Sequence, residues 1–200
     1  MRVVSKFILK EGYLVIYHHN ENKIETNQLM LRLFNEADVP EVVKLCNNYN
    51  LYKSTLNLPY PYLTEHALIW MENHLSDFNH NKRFELAITD KITGKLYGAI
   101  ALSHHQTFNH GELAYWIGEE YWGNGYATEA AKALIEFAFS AKNYNKVFAR
   151  SFDSNPASMR VIEKTGMKKE GLLKKHVRKD GKYIDLVCYG ILKPEADVLG

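Results

Sequence analysis

The 200-residue chain reads as one α+β domain, an α/β arrangement with a mixed sheet, and three observations predict it. Strand-like and helix-like runs alternate through most of its length. Hairpin signals, the glycine-containing Asp90-Lys-Ile-Thr-Gly94 and the pair Asp180-Gly181, stand mid-chain and near the end. Between one strand and a long helix lies Trp122-Gly123-Asn124-Gly125-Tyr126-Ala127-Thr128, where two glycines one residue apart let the backbone turn tightly.

Composition narrows the classes. A hydrophobic content of 46% with 24% charged residues supports one sizeable core and fits one domain better than two. The net charge of +2 is too mild for a nucleic-acid binder. Cys46 and Cys188 form no CxxC pattern, which argues against a disulfide framework or a zinc site. The histidine pairs His18-His19 and His104-His105 would point to opposite sides of a strand, a structural or surface pattern rather than a metal site. No apolar run is long enough for a membrane span and the N-terminus lacks a signal-peptide core, so a cytoplasmic protein is expected.

In chain order, residues 3–17 alternate around Lys10-Glu11-Gly12, the pattern of a hairpin. Residues 1–28 are expected as an N-terminal extension, with 18–28 as a linker, before a domain over 29–193 and a tail over 194–200. The first domain strand is Leu29 to Phe34. Asp38 stands as N-cap of a helix carrying Pro40 and running to about Asn47. Pro59 and Pro61, interleaved with Tyr60 and Tyr62, exclude regular helix from Leu51 to Leu63. Thr64 then caps a helix through about Leu75. Strands follow at Phe84 to Thr89, Lys95 to Ser103 and Glu112 to Ile117. On the last, Glu112, Ala114 and Trp116 share one face and Leu113, Tyr115 and Ile117 the other.

The long helix spans Thr128 to Ala141. Ala127, Ala130, Ala131, Leu134 and Ala138 recur on its buried face, with Glu129, Lys132, Glu136 and Ser140 opposite. A strand from Lys146 to Phe152 leads to Asn155 as N-cap and Pro156 at the first position of another helix, which Gly166 ends. Strands Lys168 to Val177 and Tyr183 to Leu192 close the chain around Asp180-Gly181.

Read from residues alone, the loop from Trp122 to Thr128 is either an ordinary glycine turn or an anion site, because successive N–H groups converge where a helix begins. A longer pattern bears on the choice. Residues 121–130, Tyr-Trp-Gly-Asn-Gly-Tyr-Ala-Thr-Glu-Ala, resemble the run characteristic of the ribosomal-protein N-terminal acetyltransferases within the GNAT superfamily of acyl-CoA-dependent N-acyltransferases. Asn155-Pro-Ala-Ser158-Met-Arg-Val-Ile162-Glu-Lys-Thr-Gly166-Met167 resembles a second pattern of that superfamily, and the likeness covers roughly residues 29–193.

The resemblance implies a GNAT fold, a mostly antiparallel twisted sheet with splayed central strands and flanking helices. It implies acetyl-CoA as cofactor, its pyrophosphate held by Trp122, Gly123, Asn124, Gly125, Tyr126, Ala127 and Thr128. The pantetheine arm would lie along Trp116 and Ile117 and meet Asn155, although Asn155 and Ser158 also suffice as helix-capping residues. Ile162 replaces the tyrosine that protonates the leaving thiolate in many members, and Ser158 is the substitute the ribosomal branch suggests. Val177 stands where that branch can carry a glutamate base. Glu112 is the candidate base from position, or else a solvent-facing strand residue. Tyr60 and Tyr62 either touch the acceptor or pack in the core.

An α-amine with pKa 7.7–8.0 is about a tenth neutral at pH 7, whereas a lysine near 10.4 is almost wholly charged. A site without an obvious strong base therefore suits an α-amine. The expectation is transfer of acetyl to the N-terminal amine of a protein such as a ribosomal protein, by a monomer or homodimer without metal. The alternatives are a small amine acceptor (polyamine, amino acid or antibiotic) and a non-catalytic acyl-CoA-binding module.

Overall fold

The structure, a computed structural model, describes residues 4–8 and 14–193. The expected turn at Lys10-Glu11-Gly12 and the tail 194–200 lie outside the described residues. Among the described residues ten strands form one sheet: β1 (Val4–Ile8), β2 (Leu14–His18), β3 (Lys23–Glu25), β4 (Leu29–Arg32), β5 (Arg83–Asp90), β6 (Leu96–His105), β7 (His110–Ile117), β8 (Lys146–Phe152), β9 (Lys168–Lys179) and β10 (Lys182–Leu192). The order is β1-β2-β3-β4-β5-β6-β7-β8-β10-β9. Every neighbouring pair is antiparallel except β7 with β8.

The stretch 18–28, expected as a linker, instead holds β3, which pairs with both β2 and β4. Polar composition hid it, because on so short a strand only Ile24 faces the core, at 1% exposure.

Among the described residues six α-helices cover the sheet: α1 (Val39–Cys46), α2 (Tyr49–Ser54), α3 (Thr64–Met71), α4 (His74–Asn79), α5 (Tyr126–Glu136) and α6 (Pro156–Lys164). Asp38 does not cap α1 with its side chain. Its carboxylate accepts two bonds from Arg32, each 2.7 Å, and one from Asn35 N, while Asn35 Oδ1 caps the preceding turn. The prolines act only from Pro59 onward, so Tyr49–Ser54 forms α2 with Asn48 accepting from Leu51 N. The helix expected over 64–75 stops at Met71, and Leu63 rather than Thr64 is its cap position. There His66 Nδ1 accepts from Leu63 N.

Helix α5 lies on the sheet through Ala130, Ala131, Ala133 and Leu134, all fully buried, and ends in a π-turn over Phe137–Ala141. Methyl-sized side chains let its axis approach closely, so a larger residue here overpacks by about 1–3 kcal/mol. Glu129, expected on the solvent face, is buried. Its carboxylate accepts from Thr26 Oγ1 (2.7 Å), Gln28 N (2.8 Å) and Gln28 Nε2 (2.9 Å). These bonds satisfy a buried charge in the first helical turn, where the dipole favours an anion.

Candidate active site

Strands β7 and β8 run parallel but pair only over residues 110–113 and 146–149. Beyond that point β7 follows β6 as far as Ile117 and β8 follows β10 as far as Phe152. The inner edges of 114–117 and 150–152 are thus left without a strand partner. Gly98 keeps β6 tight against β7, since a Cβ there would stand 2.1 Å from Trp116 O. The split opens into a cleft of about 620 Å3, floored by Glu112, Ala114, Tyr115 and Trp116 on β7 and by Arg150 and Ser151 on β8.

At the far end of β7, a short turn brings Trp122 back so that its Nε1 donates to Ile117 O at 2.7 Å. Gly123 and Gly125 have φ of +81° and +84°, with open space around each Cβ position, so the left-handed backbone, not crowding, calls for glycine. Asn124 Nδ2 donates to Tyr121 O and Trp122 O, which braces the turn. Glu129 N, bonded to Gly125 O, is the first donor of the α5 ladder. The N–H groups of Tyr126, Ala127 and Thr128 precede it and have no intrahelical acceptor. Tyr126 stacks on Tyr97 at 4.3 Å between centroids. This loop fits the diphosphate of an acyl-CoA, and the unpaired strand edges fit an amide-bearing arm.

On the opposite wall, Asn155 Oδ1 accepts from Ser158 N at 3.0 Å, and Nδ2 has no partner among the described residues. Ser158 Oγ lies 2.9 Å from the Tyr115 hydroxyl, which also reaches Ser158 O at 3.2 Å. Burial pushes the Tyr115 hydroxyl up to about 12, against the opposing effect of its bond to Ser158, so it stays protonated. Ile162 is buried under α6 and lines the same wall.

The acceptor end is roofed by residues 54–59, Tyr62 and helix α3. Glu112 faces the cleft, with both oxygens taken by Arg150 Nε (2.8 Å) and NH2 (2.9 Å). Tyr62 lines the cleft and is buried. Tyr60, expected beside it, is 48% exposed and packs outside against Tyr49 and Tyr52, because residues two apart around Pro61 face different ways here.

Sequence reading missed Tyr115, Arg83, Glu85 and Arg150. Glu85 carried a signal, a charge inside the apolar run Phe84-Glu85-Leu86-Ala87-Ile88. Arg83 Nε and NH2 both bind its Oε2, at 2.7 and 2.6 Å, and Arg83 NH1 donates to Ser103 Oγ.

A family model for the acetyltransferase (GNAT) domain matches residues 28–168. The chain belongs to the GNAT acetyltransferases. It is 27% identical to the uncharacterized N-acetyltransferase YoaA of Bacillus subtilis over 172 residues, 86% of this chain and 97% of that protein. It is 25% identical to the spermidine N(1)-acetyltransferase of Vibrio cholerae over 168 residues, 84% of this chain and 94% of that one. Among solved structures, the ribosomal L7/L12 α-N-protein acetyltransferase RimL in complex with coenzyme A superposes with a TM-score of 0.76 at 19% identity, covering 83% of this chain and 94% of RimL. This GNAT chain is therefore an acetyl-CoA-dependent N-acetyltransferase with an amine acceptor. Among the described residues no helix is long and apolar enough to cross a membrane, and no group of three or more His, Cys, Asp and Glu side chains could hold a metal ion.

Proposed function

We propose that this acetyltransferase modifies the N-terminal α-amine of a protein, a ribosomal protein being the model case. The observation that carries this reading is the charge balance of the cleft. Its two carboxylates, Glu85 and Glu112, are each matched by a guanidinium, Arg83 and Arg150. A polyamine carries several ammonium groups and gains most from uncompensated carboxylates. A peptide N-terminus brings a single charge that is already partly neutral at pH 7. The likeness to RimL supports the same choice, and the likeness to a spermidine acetyltransferase supplies the competing acceptor.

Bound acetyl-CoA supplies a thioester at the split between β7 and β8. Trp116 and Ile117 edge the slot for its arm, Asn155 Nδ2 is free to bond it, and the loop from Trp122 to Thr128 takes its diphosphate. Ser158 Oγ–H would bond the sulfur of the leaving thiolate. Tyr115 stands behind Ser158, its hydroxyl donating to Ser158 O at 3.2 Å and lying 2.9 Å from Oγ, which holds the serine in place. Ser158→Ala is expected to lower kcat about 10- to 100-fold while leaving acetyl-CoA affinity within about twofold. Loss of affinity with unchanged kcat removes the role.

Thiol release measured with acetyl-CoA and a panel of short peptides with free N-termini, spermidine, free amino acids and aminoglycosides tests the acceptor. Turnover of peptides is expected. Turnover of spermidine alone overturns the reading in favour of a small-amine enzyme, and binding of acetyl-CoA without turnover of any acceptor favours a non-catalytic module.

A further inference from the structure

Glu85 is 4% exposed, yet it lines the acceptor end of the cleft. Both bonds from Arg83 go to Oε2. Oε1 has no partner among the described residues and is not among the polar atoms sealed from the surface without one, so it opens to the cleft. Register places it with respect to the chemistry. Glu85 is opposite Ala101, and Ala101 is opposite Ala114 on the lip of the split. With strands about 4.8 Å apart, Glu85 starts about 10 Å from that lip and its side chain spans part of the distance. In that row only the methyl of Ala101 stands between Glu85 and the lip at Ala114. In the adjacent row, Arg83, Ser103 and Glu112 face each other across the same three strands.

We propose that Glu85 is the acceptor-amine site, its open Oε1 receiving the incoming ammonium and taking its proton before attack. Glu112 is poorer at this task, because Arg150 occupies both of its oxygens. Burial raises the Glu85 carboxyl above its ordinary range, against the lowering by Arg83, which moves it toward the α-amine it must deprotonate. The other titratable or charged groups around it are Arg83 on its own strand, Tyr62 and Cys46 in the roof, His66 on α3, His74 beside Arg83, and Glu112 with Arg150 across the floor.

The protons balance. The ammonium gives one to Glu85, and the neutral nitrogen attacks the thioester carbonyl. The C–N bond forms, the C–S bond breaks, and the sulfur takes a proton through Ser158. The second nitrogen proton leaves to solvent, Glu85 releases its proton to solvent and Ser158 is reprotonated from it, so the net products are the acetamide, the free thiol and one proton.

This proposal rests on acetyl transfer to an amine and not on which amine is used, so it is tested with whichever acceptor the panel selects. The experiment is kcat/KM for that acceptor against pH at saturating acetyl-CoA, with melting temperature and acetyl-CoA affinity alongside. If Oε1 receives the ammonium, the wild-type profile is bell-shaped, with its acid limb from Glu85 and its alkaline limb from the amine. Glu85→Gln then lowers kcat/KM about 100-fold or more, leaves acetyl-CoA affinity unchanged, and converts the bell into a simple rise toward the amine pKa. Arg83→Gln moves the acid limb to higher pH, which decides the matter if Glu85→Gln does not fold. An acid limb that persists in Glu85→Gln, that ignores Arg83→Gln, or that vanishes only in Glu112→Gln overturns the proposal. Peptides inert and spermidine active would displace the α-amine reading while leaving the Glu85 test intact.

Discussion

At the end of the cleft proposed for the coenzyme diphosphate, the groups come from seven consecutive residues, Trp122 to Thr128, while at the acceptor end they come from four strands and the roof above them. The first end is local chemistry. Two left-handed glycines and a helix start suffice to converge N–H groups, and distant residues such as Thr26 and Gln28 serve only to hold Glu129 and so anchor the helix. The second end exists only through register, since Arg83, Glu85, Ser103, Glu112 and Arg150 share a face because β5, β6, β7 and β8 are neighbours. A surface spread over four strands can change its acceptor by single substitutions that leave the coenzyme end alone.

The sharpest way to break this division is at Gly125. A side chain there must adopt φ near +84°, and in Gly125→Glu it also brings a negative charge to the proposed diphosphate site. The two effects together amount to about 1–3 kcal/mol, so acetyl-CoA affinity by calorimetry falls about 10- to 100-fold with the fold retained. Unchanged affinity removes the loop from the coenzyme site.

A second effect depends on pH and is read in the stability of the roof. Burial, helped by nearby Arg83, pushes the His74 imidazole down to about 4. His74 packs on Phe34 and Trp70 under the roof. The unfolded chain binds this proton near pH 6.5, before the folded one does. Stability held above 6.5 is therefore lost as pH falls toward 4, by up to about 3 kcal/mol. Denaturant titration at pH 7 and 4.5 is expected to show this loss in the wild type and a much smaller one in His74→Phe. Equal losses in both proteins place the acid sensitivity elsewhere.

The smallest effect concerns the rim of the roof. Tyr52 on α2 donates to Asp180 in the β9–β10 turn, and Lys179 Nζ sits 3.7 Å above its ring. Exposed contacts of this kind contribute less than about 1 kcal/mol. Tyr52→Phe should raise acceptor KM about two- to threefold in steady-state assays and leave acetyl-CoA affinity unchanged. A drop in acetyl-CoA affinity instead would show that the two ends are coupled.

What could be read in advance follows the same line. The strand from Lys146 to Phe152, the Asn155 cap with Pro156, and the Asp180-Gly181 hairpin are governed by residues adjacent in the chain, and they were legible. Misreadings fell where a distant partner overrode local pattern. Glu129 looked like a solvent-face residue until Thr26 and Gln28 surrounded its carboxylate, and Asp38 looked like a cap until Arg32 claimed it. The polar stretch before Leu29 became β3 because two strands were there to pair with it.

By itself, the sequence determined the glycine turn before α5, the likeness to the family and the mixed architecture, because backbone conformation and capping depend on neighbours a few residues apart. Only the tertiary structure decided that Glu85 keeps one oxygen open to the cleft, that Glu112 is claimed by Arg150, and that Tyr115 backs Ser158. Those facts arise from strand register and from burial, and neither is written in any short stretch of chain.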